Sequence, residues 1–398
     1  MTAGDTVRKY PFDMHRLEVS PLYARLRENE PLSRVQLPYG ETAWLATRYD
    51  DVRTVLTDPR FSRALAQGLD QPRMRSENVG DGVMGMDPPE HTRLRRLVGK
   101  AFTARRVEQM RQAVQERADA LVDAMTVGGD SADLVEDFAR PLPVSVICDL
   151  LGVPYEDHSR FRRWTEAMTN DETTSGNVLA TIGPEVFSYM SGLVEERRSR
   201  PTDDLLGALV RARDEGDRLS EEELISIAGP GLLAGGAETV ASGIPSFVYQ
   251  LLTRPDDLAL LRGRPELVPS AVEELLRFVP INTAAMFARY SLEDIRLSGT
   301  TIRAGEPVLP ALAAANRDPE VFADPERIDL TRTVNPHLAF GQGPHHCIGA
   351  QLARLELQVA LNTLLTRFPG LRLADGESGV QWKFGVIVRG PSFMRVAW

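Results

Sequence analysis

Residues Phe340 to Gly349 read FGQGPHHCIG, and the chain continues as AQLARLELQVALNTLLTRF, in which Ile348, Leu352, Leu355 and Val359 recur at the spacing of one helical face. That stripe predicts a helix with Cys347 at its N-terminus. There the positive end of the helix dipole and the unpaired backbone N–H groups favour a thiolate, the protonation state a metal ligand requires. Gly341, Gly343 and Gly349 leave room for the backbone to approach a flat cofactor closely. The bland alternative is a loop with a reactive or merely structural cysteine. A zinc site of His345, His346 and Cys347 is a second alternative and fits poorly. Three adjacent residues do not easily converge tetrahedrally, and no other Cys/His pair stands at ligand spacing.

With 398 residues the chain can bury a large core, and 42% hydrophobic with 26% charged residues is ordinary globular composition, which excludes collagen-like, disordered and disulfide-scaffold classes. Lys and Arg number 46 against 56 Asp and Glu; the net charge of −10 argues against general attraction to nucleic acid or an anionic membrane, while allowing a local basic face. The opening MTAGDTVRKYPFDMH lacks the apolar centre of a signal peptide, and the longest apolar stretch, Ile227 to Ala237, is too short to span a bilayer. A cytoplasmic protein is expected, with no membrane or nucleic-acid partner. Cys148 and Cys347 form at most one bridge, so no disulfide framework is expected.

No fixed-period repeat or Gly/Ser linker divides the chain, so residues 1–398 are expected to form a single domain. Periodicity predicts a mainly α protein with a small β part: a helical body over about 90–280 and 347–368, and β-rich portions near 33–60, 290–310 and 375–398. Thr42 to Thr47 reads as a strand and Tyr49 to Leu56 as a short helix. Ala139 to Leu151, ending at Gly152, reads as a buried helix in which Cys148 packs as a small hydrophobe. Leu219 to Leu252 is a candidate long helix, opened by Ser220 and Glu223 at capping-box spacing. Pro230, the Gly235-Gly236 pair and Pro245 should each kink or loosen it, and such disruption often marks a functional site.

The FGQGPHHCIG block resembles, at every fixed position, the haem-binding signature F-G-x-G-x-H-x-C-x-G of the cytochrome P450 superfamily. Several further blocks extend the resemblance over nearly the whole chain, most closely to soluble actinobacterial members that tailor macrolides and other secondary metabolites. The resemblance implies a triangular, mainly α fold enclosing haem b (iron protoporphyrin IX). Cys347 would be the axial iron ligand, a thiolate that pushes electron density toward the iron and favours O–O cleavage. Phe340, Gly341 and Gly349, with Gly235 from the disrupted helix, would contribute to the cofactor site. In GGAETV, Glu238 and Thr239 resemble the family's acid-alcohol pair, which handles oxygen and relays protons. Ala237, where many relatives carry a larger side chain, and Pro230 depart from the common pattern. His91 and Arg95, four apart in DPPEHTRLRRLV, share a helical face and supply the charge-assisted donors that haem propionates need. The resemblance adds Arg289 and His345 to them. Glu274 and Arg277, three apart, would be a commonplace surface pair by periodicity; the family's Glu-x-x-Arg motif makes them structural.

Between Glu90 and Arg111 stand seven basic and two acidic side chains, a face that by the resemblance would dock an acidic ferredoxin. No dinucleotide fingerprint follows a strand, so electrons are expected from a separate ferredoxin and ferredoxin reductase. The family's substrate-contact segments map to 64–86, 164–193, 232–236, 281–287 and 384–387. They include Met84, Met86, Leu232, Leu233, Ala284, Ala285, Met286, Phe287 and Val386. Small Ala284, Ala285 and Ala288 and adaptable methionines suggest a roomy pocket. The expected activity is hydroxylation or epoxidation of a bulky hydrophobic natural product by a monomer using O2. The alternatives are oxidative radical coupling of aromatic cyclodipeptides or phenols, and, more distantly, a non-catalytic haem sensor or carrier.

Overall fold

The computed structural model describes residues 6–13, 15–74, 82–100, 102–169, 177–202, 204–214, 220–282, 287–383 and 388–398. It is mainly helical with small sheets, and the chain divides into two compact units, Met1–Thr92 with Glu273–Cys347 and Arg93–Val272 with Ile348–Trp398.

The first unit is built on a six-stranded sheet in the order Arg8–Lys9, Leu32–Gln36, Ala43–Ala46, Pro307–Pro310, Arg289–Ser291, Phe61–Ser62. The expected strand at Thr42 to Thr47 is present as Ala43–Ala46 and the short helix as Tyr49–Thr57. Trp44 to Ala46 pair in parallel with Val308 to Pro310, whose other edge carries Arg289 opposite Val308. One sheet face buries Val35, Ala43, Leu45, Tyr290 and Leu309, while Trp44, Ala46 and Val308 pack with Val52, Val55 and Phe322. This alternation between two apolar faces is that of a sheet covered on both sides. Ile295–Leu297 and Thr300–Ile302 form a hairpin turned by Ser298 and Gly299, both at positive φ, as a two-residue primed turn requires.

The second unit is helical. Arg111–Val127, Pro141–Leu151, Glu238–Leu252 and Ala350–Arg367 supply its core, beside a three-stranded sheet ordered Arg372–Leu373, Arg395–Ala397, Ser131–Asp133. Pro141–Leu151 ends at Gly152 in the left-handed conformation, and Cys148 is fully buried, as expected. Among the described residues no helix is long and apolar enough to cross a membrane.

Two expectations need correcting. The long helix from Leu219 is segmented: Glu221–Ser226, π-helical Ile227–Gly231 and Leu233–Ala237, then Glu238–Leu252. Its capping box forms as expected, with Ser220 accepting from Glu223 N–H and the Glu223 carboxylate accepting from Ser220 N–H. Pro230 and Gly235-Gly236 coincide with the π turns, but Pro245 does not interrupt the last segment. Every residue from Val240 to Leu251 is buried, so packing outweighs the ~3 kcal/mol a proline costs within a helix. The second correction concerns the helix after Cys347: it starts at Ala350 with Gly349 as its cap, so Cys347 and Ile348 precede it.

Candidate active site

In the first unit the loop before Cys347 is folded by its own backbone. Gly341 N–H donates to Leu338 O at 2.9 Å, His346 N–H to Gly343 O at 3.0 Å and Cys347 N–H to Phe340 O at 2.9 Å. Gly341 and Gly343 have φ of +67° and +73°, and a Cβ on Gly343 would lie 2.5 Å from Leu56 O, so glycine is required there by both torsion and space. The loop presents Cys347 as an exposed cysteine outside any disulfide, and Phe340 is half-buried.

His91, His345 and Arg289 supply cationic and N–H donors in the same unit. His91 is 2% exposed and its ring centre lies 4.0 Å from that of His345. Arg95 stands four residues after His91 on the Glu90–Gly99 helix, in the part of that helix that belongs to the second unit. Arg289 is 3% exposed, and Nη1 donates to Phe287 O at 2.9 Å. Among the described residues no carboxylate pairs with it, and burial pushes its guanidinium down to about 10 against the weaker pull of Asp87. A cation so deeply desolvated is costly without an anion beside it. A planar cofactor carrying carboxylates, with a metal for the Cys347 thiol, fits this donor set. Haem b has both.

Sequence reasoning missed the framework beside Arg289. Arg63 donates to Met84 O at 2.8 Å and lies 4.8 Å from the Phe287 ring centre, while Asp87 accepts from Arg63 N–H at 2.9 Å and bonds Ser62 Oγ. Phe287 is held at φ +63°, an outlier for an aromatic residue and a mark of local constraint. Arg63 stands in no motif, and Asp87 opens the DPPEHTRLRRLV block without a spacing that marks it out.

In the second unit, Glu238 and Thr239 open the Glu238–Leu252 helix directly after the π turn. Gly236 lets this turn close on Pro141–Leu151, since a Cβ there would meet Ile147 Cδ1 at 2.9 Å, whereas Gly235 has open space where its Cβ would be. Thr239 Oγ1 donates to Gly235 O at 3.1 Å. Glu238 is buried, accepts from Ser242 Oγ at 3.2 Å and is ion-paired with Lys383, a partner the sequence did not suggest.

Leu232 is buried, Met84 is exposed and Met86 half-buried. Ala284, Ala285, Met286 and Val386 lie outside the described residues, as does the side chain of Leu233. Glu274 and Arg277 form a fully buried two-pronged pair at 2.7 and 2.8 Å; Arg277 also donates to Asn316 O, Pro325 O and Arg327 O, and Glu274 accepts from Arg332 and Asn335. In the basic segment Arg93 pairs with Glu223 and Arg111 with Glu108, while Arg96, Lys100, Arg105 and Arg106 are exposed.

A family model described as Cytochrome P450 matches residues 27–263 and 261–377. Mycinamicin IV hydroxylase/epoxidase of Micromonospora griseorubida is 53% identical over 399 residues, with 100% of both chains covered. Nocardicin C N-oxygenase of Nocardia uniformis subsp. tsuyamanensis is 50% identical, again over 100% of both chains. The solved structure of the mixed-function P450 MycG is 52% identical with a TM-score of 0.94, covering 99% of this chain and 100% of that one.

Proposed function

The chain belongs to the cytochrome P450 family, and from that premise we propose that it hydroxylates or epoxidises a bulky, hydrophobic, macrolide-type natural product with electrons delivered by a ferredoxin and its reductase. It is a haem b monooxygenase; the thiolate-bound haem supplies O2 activation and O–O cleavage. Residues 1–398 serve as one catalytic domain in this proposal, working as a cytoplasmic monomer. Cys347 would hold the haem iron through its thiolate. His91, Arg95, Arg289 and His345 hold the propionates, and Phe340, Gly341, Gly349 and Gly235 lie along the cofactor.

Thr239 Oγ1 holds water or oxygen by hydrogen bonding, and Glu238 carries protons toward it from the buried side of the helix. Leu232, Leu233, Met84, Met86, Ala284, Ala285, Met286, Phe287 and Val386 border the substrate. The exposed Arg96, Lys100, Arg105 and Arg106 suit an acidic ferredoxin.

The observation that carries the substrate class is the full-length 53% identity to the mycinamicin enzyme. A relative of nearly the same identity is an N-oxygenase, so the substrate has to be tested directly. Purified protein is reduced under carbon monoxide to read thiolate ligation from the red-shifted Soret band, then titrated with mycinamicin IV, nocardicin C and an aromatic cyclodipeptide for spectral shifts. Turnover with a ferredoxin system follows, with mass spectrometry. A macrolide gaining one oxygen supports the proposal. A dimer formed without added oxygen overturns it in favour of oxidative coupling, and a Soret band without the shift removes the haem-thiolate foundation.

A further inference from the structure

In the second unit, Gln381–Trp382 pairs with Pro391–Phe393, and Lys383 N–H donates to Gly390 O at 3.1 Å. Contacts from this hairpin and from the turn just before it fix both on the Glu238–Leu252 helix. The Trp382 ring meets Tyr249 edge-on at 5.0 Å, and Tyr249 Oη donates to Glu377 at 2.8 Å. Gly390 presses close enough that a Cβ would lie 3.1 Å from Ser242 Cβ. At that junction the Lys383 ammonium bonds the Glu238 carboxylate and, at 2.8 Å, Ser242 Oγ, while Ser242 Oγ donates to the same Glu238 oxygen at 3.2 Å.

The side chains of Lys383 and Glu238 are only 10% and 8% exposed. Burying such a pair costs desolvation that its attraction barely repays, so stability alone is a weak reason for a lysine here. Its ammonium does something more specific: it donates to Glu238 Oε1 and to Ser242 Oγ, and Ser242 Oγ donates to the same carboxylate oxygen. Successive helical residues point about 100° apart, so Glu238 does not face the Thr239 hydroxyl, and the direction its carboxylate takes is set by what grips it.

We infer that Lys383 is a positioning residue for Glu238: with Ser242 it clamps the carboxylate in the orientation from which Glu238 carries protons. The inference rests on the relay role proposed for Glu238. It assigns a part to a residue 145 positions away on a separate hairpin.

The test compares wild type with Lys383→Met, Lys383→Arg and Glu238→Gln. Infrared difference spectra of haem-free and haem-loaded protein follow the carboxylate band that disappears in Glu238→Gln. Turnover with mycinamicin IV as probe gives the share of NADPH consumption that ends in product. Lys383→Met is expected to move the band in both protein forms and to lower coupled product formation about tenfold with KM unchanged, the scale of one lost charged hydrogen bond. Lys383→Arg should restore most of both. A band that stays in place in Lys383→Met, or one that moves while coupling is intact, overturns the inference. Should Glu238→Gln itself leave coupling intact, the relay role fails with it; uncoupling in Glu238→Gln but not in Lys383→Met sinks the clamp alone. If Lys383→Met does not load haem, Ser242→Ala removes the hydroxyl grip and is read the same way.

Discussion

Glu356 lies in the middle of the Ala350–Arg367 helix, 2% exposed, and among the described residues its Oε2 has no hydrogen-bond partner. The elements packed on that helix include Ala104–Gln109, Arg111–Val127 and Glu238–Leu252, and none brings a charge that moves it: burial alone pushes the carboxyl up to about 8 from 4.5. Folded protein therefore keeps the proton over a range in which the unfolded chain has lost it. Stability is unpenalised below about pH 4.5, falls by ~1.4 kcal/mol per pH unit up to about pH 8, and is flat above, a loss of about 5 kcal/mol in all and about 3 kcal/mol at pH 7.

Glu356→Gln removes the titration while keeping the shape. The comparison that matters is the pH dependence of the difference, because Gln leaves its own amide to be accommodated. With an unfolding entropy near 2.1 cal/mol/K per residue over 398 residues, ~3 kcal/mol corresponds to about 4 °C. Scanning calorimetry at equal haem loading, from about pH 5.5 to about pH 8, should show the variant gaining about 4 °C on wild type across that window. Parallel profiles would refute the reasoning, since they would mean that Glu356 ionises at an ordinary pH in the folded protein.

Removing one member of the buried Glu274–Arg277 pair strands the other: Glu274→Ala should cost about 3–5 kcal/mol, read as a lower urea midpoint and poorer haem retention. In the haem-free protein, iodoacetamide should alkylate the exposed Cys347 and spare Cys148, whose thiol burial pushes far up; mass mapping of the native protein decides, and early label on Cys148 would contradict its buried setting. Thr239→Ala should uncouple NADPH consumption from product while leaving substrate-induced spectral shifts in place, and unchanged coupling would remove the proton-handling role of Thr239.

What could be read from the sequence is what is local in the chain. The FGQGPHHCIG loop is closed by its own backbone bonds and by glycines whose torsions only glycine adopts readily, so its geometry is written into ten consecutive residues. The Ser220–Glu223 cap and the Gly152 helix stop are legible for the same reason. Glu274 and Arg277 show where such reading stops. Their spacing is that of a surface pair, and what buries them is a loop more than fifty residues onward that supplies Arg332 and Asn335 to the carboxylate.

Glu356 is hidden for a related reason. The stripe of Leu352, Leu355 and Val359 predicts one buried face, and Glu356, four residues after Leu352, sits on it; a carboxylate there reads as a break in the stripe until the neighbouring helices are seen to cover it together with Leu357, Ala360 and Leu361. Lys383 is the extreme case. It stands in no motif, in a strand end of ordinary composition, and reaches Glu238 only because Gly390 lets one hairpin lie against the helix at Ser242. A Gly390→Ala change therefore bears on the acid as directly as a change at Lys383. A Cβ at that position has to push Ser242 aside, and Ser242 is one of the groups gripping Glu238.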